Sequence, residues 1–317
     1  MKTSPRVMTI TPNCAVDRTL SVSAFAPGRT CKATLLSRSP AGKGVNVSKV
    51  LARLGVPSIA AGFVGSCDAR TYRDDLDALG VTSAFIPVPA PTRTNTTVID
   101  PSRSTITHLR EEGAPVARAA LAALCSLVRD RARSCDFVVL CGSLPPGFPL
   151  TTLRKIVRAA RSAGSRVVVD LEGHLLRALR NERLFLASPN VHELSDLAGR
   201  PLRSAAAIAA AAIEQRRYFE SLLVSWGSRG AFLATGRDVL SARFAGRVRV
   251  RNTVGCGDAL LAGLLAALLA DASPSDALAN AVAVATAAAA TLTAGTFDRK
   301  VYASARRAVR PGVLEPS

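Results

Sequence analysis

The middle of the chain alternates short apolar segments with longer amphipathic ones, and this rhythm limits the fold more than any other feature. Phe137–Ser143 and Arg166–Asp170 are apolar runs of strand length, and Thr151–Ala163 between them has the spacing of a helix. A strand, a helix and a second strand in this order form a right-handed crossover between parallel strands. The rhythm continues through Leu184–Ala187 and Ser221–Ser225. The sequence therefore predicts a Rossmann-like, three-layer α/β/α fold with a mostly parallel central sheet.

Small and polar residues follow the predicted strands of this sheet. Ligands of open parallel sheets bind outside the carboxyl ends of the strands, so these residues are candidates for a binding cleft. They are Gly142, Ser143, Asp170, the sequence Ser-Pro-Asn at 188–190 and the glycine-containing sequence at 225–230. We therefore expect a cleft along this edge of the sheet.

A second, smaller sheet is predicted from two segments that lack the long apolar runs of the central strands. Residues Thr19–Ser39 mix polar, apolar and β-branched residues, and Arg93–Ile99 alternates in the manner of a half-exposed strand. The sequence predicts that segments at about 14–40 and 90–112 form a small β lid. The lid is inserted in a single domain that spans residues 1–317.

Three polar residues in or beside the predicted lid bear on ligand binding. Arg93 and Asn95 are separated by one residue in a strand and share a face, where they either hold a phosphate or form a solvent-facing surface. Asp17 follows the end of the first predicted strand, Val7–Ile10, where it either meets a ligand or is a surface turn residue. The residues alone leave both alternatives open.

A glycine-rich loop meets an apolar, helix-forming segment in the last third of the chain. Gly255 and Gly257 frame the loop, Asp258 closes it, and Ala259–Ala270 has the composition of a helix. Backbone N–H groups at the start of such a helix attract anions, so Gly255, Cys256 and Gly257 predict an anion hole. The Asp258 carboxylate either takes a proton from a hydroxyl that attacks a phosphate or acts only as a helix N-cap.

A second glycine-rich loop opens a helix earlier in the chain. Ala41–Ser48 leads into apolar residues at helical spacing that stop at Gly55. Glycines such as Gly42 allow close approach of the backbone, Lys43 supplies a positive charge for a phosphate, and Asn46 can hydrogen-bond sugar hydroxyls. The spacing is not that of a Walker A motif.

Composition argues against several classes of function. The 41 Lys and Arg outnumber the 23 Asp and Glu to give a net charge of +18, but the arginines are spread singly and aromatic residues are few. This distribution favours small anions over specific nucleic-acid binding. The seven cysteines form no C-x-x-C pair and the three histidines are isolated, so neither a cysteine or histidine metal site nor a Ser/His/Asp arrangement is predicted. Without a segment of signal-peptide or bilayer-spanning length, we expect a cytoplasmic protein with no membrane partner.

Four motifs occur in one order along the chain: Ala41-Gly-Lys-Gly-Val-Asn46, Asn190-Val-His-Glu193, Ser225-Trp-Gly-Ser-Arg-Gly230 and Thr253-Val-Gly-Cys-Gly-Asp258. Together they resemble the motifs of the ribokinase-like (PfkB) carbohydrate kinases, and the resemblance covers nearly the whole chain. Three further segments look most like the branch of 1-phosphofructokinases and tagatose-6-phosphate kinases, whose acceptors already carry a phosphate. These segments are Thr9–Asp17, Arg93–Asn95 and Cys141–Gly147.

The resemblance implies ATP and Mg²⁺ as cofactors and a role for each motif. Asp258 would be the catalytic base, and the amides of Gly255–Asp258 would stabilise the transferring γ-phosphoryl group. Asn190 and Glu193 would position Mg²⁺, directly or through water. The substrate-binding residues would be Asp17, Gly42, Lys43, Asn46, Arg93, Asn95 and Ser143, and the ATP-binding residues Asn190, Ser225, Gly227, Gly230 and Asn280.

The activity implied by the resemblance is phosphorylation of a ketohexose monophosphate, foremost fructose 1-phosphate to fructose 1,6-bisphosphate. Tagatose 6-phosphate, fructose 6-phosphate or an unphosphorylated sugar are alternative acceptors. A non-catalytic sugar-phosphate or nucleic-acid binding protein on the same scaffold is the alternative from a different class. Relatives often dimerise through the lid, so a homodimer of that kind is expected.

Two positions depart from the family pattern. Ser188 stands where relatives commonly have a lysine, which removes one cation near the ATP phosphates. Cys256 stands where alanine or serine is usual, and we expect it to contribute its backbone N–H rather than a nucleophile.

Overall fold

The computed structural model describes residues 5–236 and 238–314; the remaining residues of the predicted domain, 1–4, 237 and 315–317, lie outside that description. The described strands are β1 (Val7–Thr11), β2 (Ala15–Ser21), β3 (Thr34–Ala41), β4 (Ser58–Gly65), β5 (Thr82–Val88), β6 (Arg93–Asp100), β7 (Thr105–Arg110), β8 (Phe137–Gly142), β9 (Arg166–Leu171), β10 (Leu184–Ala187), β11 (Phe219–Ser225), β12 (Ala231–Thr235), β13 (Asp238–Ala242) and β14 (Gly312–Leu314). The described helices are α1 (Lys43–Arg53), α2 (Ala69–Asp77), α3 (Arg118–Arg131), α4 (Leu150–Ser162), α5 (Gly173–Ala178), α6 (Val191–Ala198), α7 (Ala205–Gln215), α8 (Cys256–Leu269), α9 (Pro274–Ala289) and α10 (Arg299–Ala308).

The larger sheet has the order β14-β13-β12-β11-β10-β9-β8-β1-β4-β5. Neighbouring strands from β11 to β5 run parallel, and β12, β13 and β14 continue the sheet in antiparallel pairs. The parallel strands are connected through helices, as the alternation of strand and helix patterns predicts. Their carboxyl ends therefore lie along one edge.

Alternate residues of the central strands enter two separate cores. Met8 and Val138 pack with α3, α4, α5, α6 and α7, whereas Val7 and Phe137 pack with α1, α8 and α9 on the other face. Every residue of β1 and β8 is buried. Because both faces are covered, neither strand alternates between buried and exposed residues. β8 begins as a continuous apolar run, whereas β1 includes the buried threonines Thr9 and Thr11. The predicted three-layer α/β/α class with a mostly parallel sheet is confirmed.

The smaller sheet, which we call the lid, has the order β3-β2-β6-β7. Strand β2 pairs with β3 antiparallel and with β6 parallel, and β6 pairs with β7 antiparallel. The lid segments predicted from sequence are about 14–40 and 90–112; the strands of this sheet occupy 15–21, 34–41, 93–100 and 105–110. Leucines and an isoleucine on its two outer strands are about half exposed: Leu35, Leu36, Ile106 and Leu109.

In the described part of the chain, no helix combines the length and the apolar character that a membrane-spanning helix requires.

Candidate active site

The carboxyl ends of five parallel strands meet the lid at a cavity of about 780 Å³. One or more residues from each strand end line it: Thr11, Gly142, Ser143, Asp170, Ser188, Asn190 and Ser225. The cavity brings together most of the predicted site residues, namely Asp17, Gly42, Lys43, Asn46, Arg93, Asn95, Ser143, Asn190, Glu193, Ser225, Gly255, Gly257 and Asp258.

Asp258 lies in the first turn of α8. The N-cap of this helix is Gly255, which has a left-handed backbone with φ of 81°, and a Cβ atom there would lie 2.7 Å from Cβ of Ala294. Asp258 is thus not the N-cap, so that alternative is wrong. The N–H groups of Gly257 and Asp258 belong to the first helical turn, which has no intrahelical acceptor, while Cys256 donates its N–H to Thr253 O at 3.3 Å.

The Asp258 carboxylate is buried in a polar surrounding. It is 5% exposed, and Asn46 Nδ2 donates to its Oδ2 at 2.8 Å. Burial and, secondly, the negative charge of Asp170 raise the pKa of Asp258 to about 7, against the opposing effect of Lys43 and Asn46. A carboxylate with this pKa can hold and release a proton at neutral pH, as a general base requires.

Lys43, at the start of α1, forms an ion pair with Asp170 in the lining of the same cavity. Its Nζ donates to Asp170 Oδ1 at 2.7 Å. Burial lowers the pKa of Lys43, but the charges of Asp170 and Asp258 outweigh it and raise the pKa above its ordinary value. The lysine is therefore a permanent cation between two carboxylates, with its side chain 40% exposed.

The lid contributes a face of polar groups. Asn95 Nδ2 donates to Asp17 Oδ1 at 3.0 Å, and Arg93 donates to the carbonyl oxygens of Glu111 at 2.8 Å and Asn13 at 3.2 Å. Asn95 Oδ1 and Arg93 Nε are buried and have no hydrogen-bond partner among the residues that the structure describes. A buried polar atom without a partner is costly, so both atoms favour a ligand that offers a donor and an acceptor.

Asn190 and Glu193 form a capping box at the start of α6. Asn190 Oδ1 accepts from the N–H groups of His192 at 2.9 Å and Glu193 at 3.0 Å, and Glu193 Oε2 accepts from Asn190 N at 2.8 Å. This reciprocal bonding accounts for the N-x-x-E spacing by helix capping. The second carboxylate oxygen of Glu193 is not used by the box, and Glu193 lines the cavity.

The chemistry of the cavity suits a magnesium ion that is bound by few protein oxygens. Burial raises the pKa of Glu193, and the negative charge of Asp170 raises it further, so a cation between these carboxylates would relieve repulsion. Within residues 5–236 and 238–314, no group of three His, Cys, Asp or Glu side chains could enclose a metal ion. Mg²⁺ usually keeps several waters and binds through one or two carboxylates and substrate phosphates.

Four predicted site residues do not line the cavity. Cys256 is half-buried, and burial together with the charge of Asp258 raises the pKa of its thiol to about 11, which keeps it protonated. Gly227 and Gly230 belong to the turn between β11 and β12, beside the cavity residue Ser225. Asn280 lies in α9, where its amide donates to Gly263 O and accepts from the Tyr302 hydroxyl. The ATP contacts of Gly227, Gly230 and Asn280 stay predictions.

Several cavity residues carried no predicted role. The sequence places Asp170 at the end of a predicted strand but indicates no role for it. Thr11 lies at the end of β1 with a buried, unpartnered Oγ1, and Arg110 lies at the end of β7. An isolated arginine in a basic chain gives no signal of its own, because only the pairing of β6 with β7 brings Arg110 to the cavity.

A family model and several known proteins each match most of this chain. The family model for pfkB family carbohydrate kinases matches residues 10–299. The 1-phosphofructokinase of Haloferax volcanii is 36% identical over 277 residues, which cover 86% of this chain and 87% of that protein. The 1-phosphofructokinase of Rhodobacter capsulatus is 32% identical over 82% of this chain and 83% of its own. Phosphofructokinase-2 from Escherichia coli, solved in complex with substrates and products, superposes with a TM-score of 0.89 at 25% identity, covering 95% of this chain and 98% of that one.

Proposed function

The chain belongs to the pfkB family of carbohydrate kinases, and from this membership and the cavity we propose that it phosphorylates fructose 1-phosphate with MgATP. The products are fructose 1,6-bisphosphate and ADP. The 31–36% identity to several 1-phosphofructokinases over most of the chain supports this acceptor. It is a sugar-phosphate kinase, a transferase of carbohydrate metabolism.

The observation that carries the proposal is the buried Asp258 carboxylate in the first turn of α8, beside the N–H groups of that turn. The same cavity contains Arg93 and Arg110 of the lid, which we call the lid cations. Its pKa of about 7 suits the removal of the proton from the acceptor hydroxyl. As that oxygen bonds to the γ-phosphorus of ATP, the bond to the bridging oxygen breaks and ADP leaves. The N–H groups of Gly257 and Asp258 stabilise the negative charge on the phosphoryl group during its transfer.

The acceptor is held from two sides of the cavity. Asp17, Asn95 and Asn46 offer hydrogen bonds to sugar hydroxyls, and Arg93 offers a charged donor to the phosphate that the acceptor carries. The unpartnered Asn95 Oδ1 and Arg93 Nε support these roles. Lys43 stays bound to Asp170 and supplies positive charge beside the reacting groups rather than a free phosphate contact. Gly42 and Ser143 line the same cavity.

ATP is assigned to the edge formed by β10, β11 and α8, where Asn190, Ser225 and Gly255 line the cavity. Glu193, with Asp170 beside it, would hold Mg²⁺, partly through water. When bound, the ion neutralises charge on the β- and γ-phosphate oxygens. Gly227, Gly230 and Asn280 are carried forward as further nucleotide contacts.

The test is identification of the product by ³¹P NMR after incubation with MgATP and fructose 1-phosphate. The expected spectrum shows a second phosphomonoester on the sugar and one ADP for each product formed. The Asp258→Asn variant should form no product on the same time scale. ATP hydrolysis without a second sugar phosphate would overturn the assignment of the acceptor, and binding of fructose 1-phosphate without any turnover would favour a binding protein.

Two broader properties accompany this function. Leu35, Leu36, Ile106 and Leu109, about half exposed on the outer lid strands, support a homodimer through the lid. Sedimentation of the wild type and of Leu109→Glu tests it, since a charge on that surface should shift a dimer toward monomer. All seven cysteines are free thiols, which supports a cytoplasmic location.

A further inference from the structure

One row of side chains crosses the lid on the face toward the cavity. In the parallel pair of β2 and β6, Asp17 lies opposite Asn95, and in the antiparallel pair of β6 and β7, Asn95 lies opposite Arg110. Residues opposite one another in neighbouring strands point to the same face of a sheet. All three residues line the cavity. The row therefore places the Arg110 side chain beside two groups assigned above to the acceptor.

Arg110 has a positive charge that no nearby carboxylate neutralises by direct contact. Among the described residues, none forms a salt bridge with Arg110. It is exposed at the rim of the cavity, and its guanidinium is close enough to Arg93 and Asp17 to influence both. Burial lowers the pKa of Arg93, and the positive charge of Arg110 lowers it further.

Arg93 likewise forms no salt bridge within residues 5–236 and 238–314. Its two terminal nitrogens donate to neutral carbonyl oxygens, and its Nε has no partner. Two guanidinium groups that repel each other create a local potential that favours a doubly charged anion. Guanidinium groups suit phosphate because they present several N–H donors in one plane.

We propose that Arg110 is a specificity-determining residue that, together with Arg93, binds the phosphate already carried by the acceptor. This inference rests on the proposed function and adds a residue to the same site. Arg93 holds the phosphate from β6, and Arg110 holds it from the neighbouring strand β7. The pair selects phosphorylated over unphosphorylated sugars, because a neutral sugar would leave both cations without an anion.

A simpler role for Arg110 is to balance the charge of Asp17. Burial raises the pKa of Asp17, and the Asn95 hydrogen bond and the charge of Arg110 are among the effects that oppose it. The two roles predict different kinetics. If Arg110 acted only on Asp17, its loss would weaken the binding of phosphorylated and unphosphorylated sugars equally, because both kinds of sugar would contact Asp17.

The experiment compares Arg110→Gln and Arg110→Lys with the control Arg73→Gln. Arg73 is an exposed arginine of α2 that does not line the cavity. For Arg110→Gln we expect KM for fructose 1-phosphate to rise roughly 10- to 100-fold, with kcat and KM for ATP within about 3-fold of wild type. Arg110→Lys should restore part of the loss, and Arg73→Gln should match the wild type. Equal losses for fructose 1-phosphate and free fructose, or an unchanged KM for fructose 1-phosphate, would overturn the inference.

A binding measurement separates this inference from the proposed function. Calorimetric titration with inorganic phosphate is done on the wild type and on Arg110→Gln without ATP or sugar. We expect Kd for phosphate to rise roughly 10-fold or more in the variant. If the wild type turns over no sugar phosphate but this difference in Kd is found, the proposed function fails and the anion site stands. If turnover is normal and phosphate binds both proteins equally, or neither, the Arg110 inference fails alone.

Discussion

The central sheet and the lid differ in how their residues are used. In β1 and β8 every residue is buried, and only residues at or just beyond the carboxyl ends of these strands line the cavity. In the lid, strands such as β6 are mostly half-exposed, and alternate residues along the strand reach the cavity. The buried central strands therefore fix the positions of the residues at their ends. In the lid, a residue on the face toward the cavity can be replaced without disrupting the packing of the central sheet. Under the proposed function, the chemistry takes place at the sheet edge and the lid selects the acceptor.

The largest effect is expected for Asp258, on the sheet side. Replacing it with asparagine keeps the shape but removes the proton acceptor, so kcat should fall by roughly 10²- to 10⁴-fold while KM for the acceptor changes little. Steady-state kinetics with MgATP and fructose 1-phosphate measure this. Asp276→Asn is the matched control, because Asp276 holds the same position in the first turn of α9 and is exposed. Activity of Asp258→Asn within a few-fold of wild type would refute the assigned base.

The lid should give the opposite kinetic signature. Arg93→Ala is expected to raise KM for fructose 1-phosphate by roughly 10- to 100-fold and to change KM for ATP far less, because it removes a charged contact to the acceptor phosphate. Lys43→Ala, on the sheet side, should instead lower kcat, because it removes positive charge beside the reacting groups. Its loss also leaves Asp170 buried without its partner, so thermal unfolding should be recorded beside the kinetics. If Arg93→Ala raised KM for ATP as much as KM for fructose 1-phosphate, the assignment of the lid to acceptor binding would be wrong.

The raised pKa of Asp258 predicts a dependence on pH in both rate and stability. Activity should rise with pH through about 7 as the carboxylate loses its proton. The folded pKa lies above the unfolded value, so the folded protein holds a proton that the unfolded chain releases between about pH 4 and pH 7. Stability should therefore fall as pH rises through this window. Asp258→Asn should remove this part of the fall and be more stable than wild type by roughly 1 to 3 kcal/mol at pH 8, measured by urea unfolding. The absence of such a gain at pH 8 would contradict the raised pKa.

The smallest effect concerns the nucleotide side. Ser188 lines the cavity at the carboxyl end of β10. Ser188→Lys adds a cation there and should lower KM for ATP by roughly 2- to 10-fold, with KM for fructose 1-phosphate unchanged. Ser188→Gln, of similar length and without charge, is the control. A change in KM for the acceptor instead would place the phosphates of ATP elsewhere.

The same contrast explains which features were predictable from sequence. Central strands such as Phe137–Gly142 were predicted to within a residue, because burial on both faces requires a continuous apolar run. The ligand edge followed, since strand ends in a parallel sheet share one side. The role of Arg110 was missed because it depends on the register between β6 and β7, which the sequence of either strand does not reveal. The packing of Asn280 against Tyr302 is a contact between two helices and was equally hidden.

The most direct test of the division between sheet edge and lid is an acceptor panel at saturating MgATP. It compares kcat/KM for fructose 1-phosphate, fructose 6-phosphate, tagatose 6-phosphate, free fructose and ribose. The account predicts the highest value for fructose 1-phosphate, with the unphosphorylated sugars roughly 10²-fold or more below it. A free sugar that equals or exceeds fructose 1-phosphate would contradict the assignment of the lid cations to an acceptor phosphate.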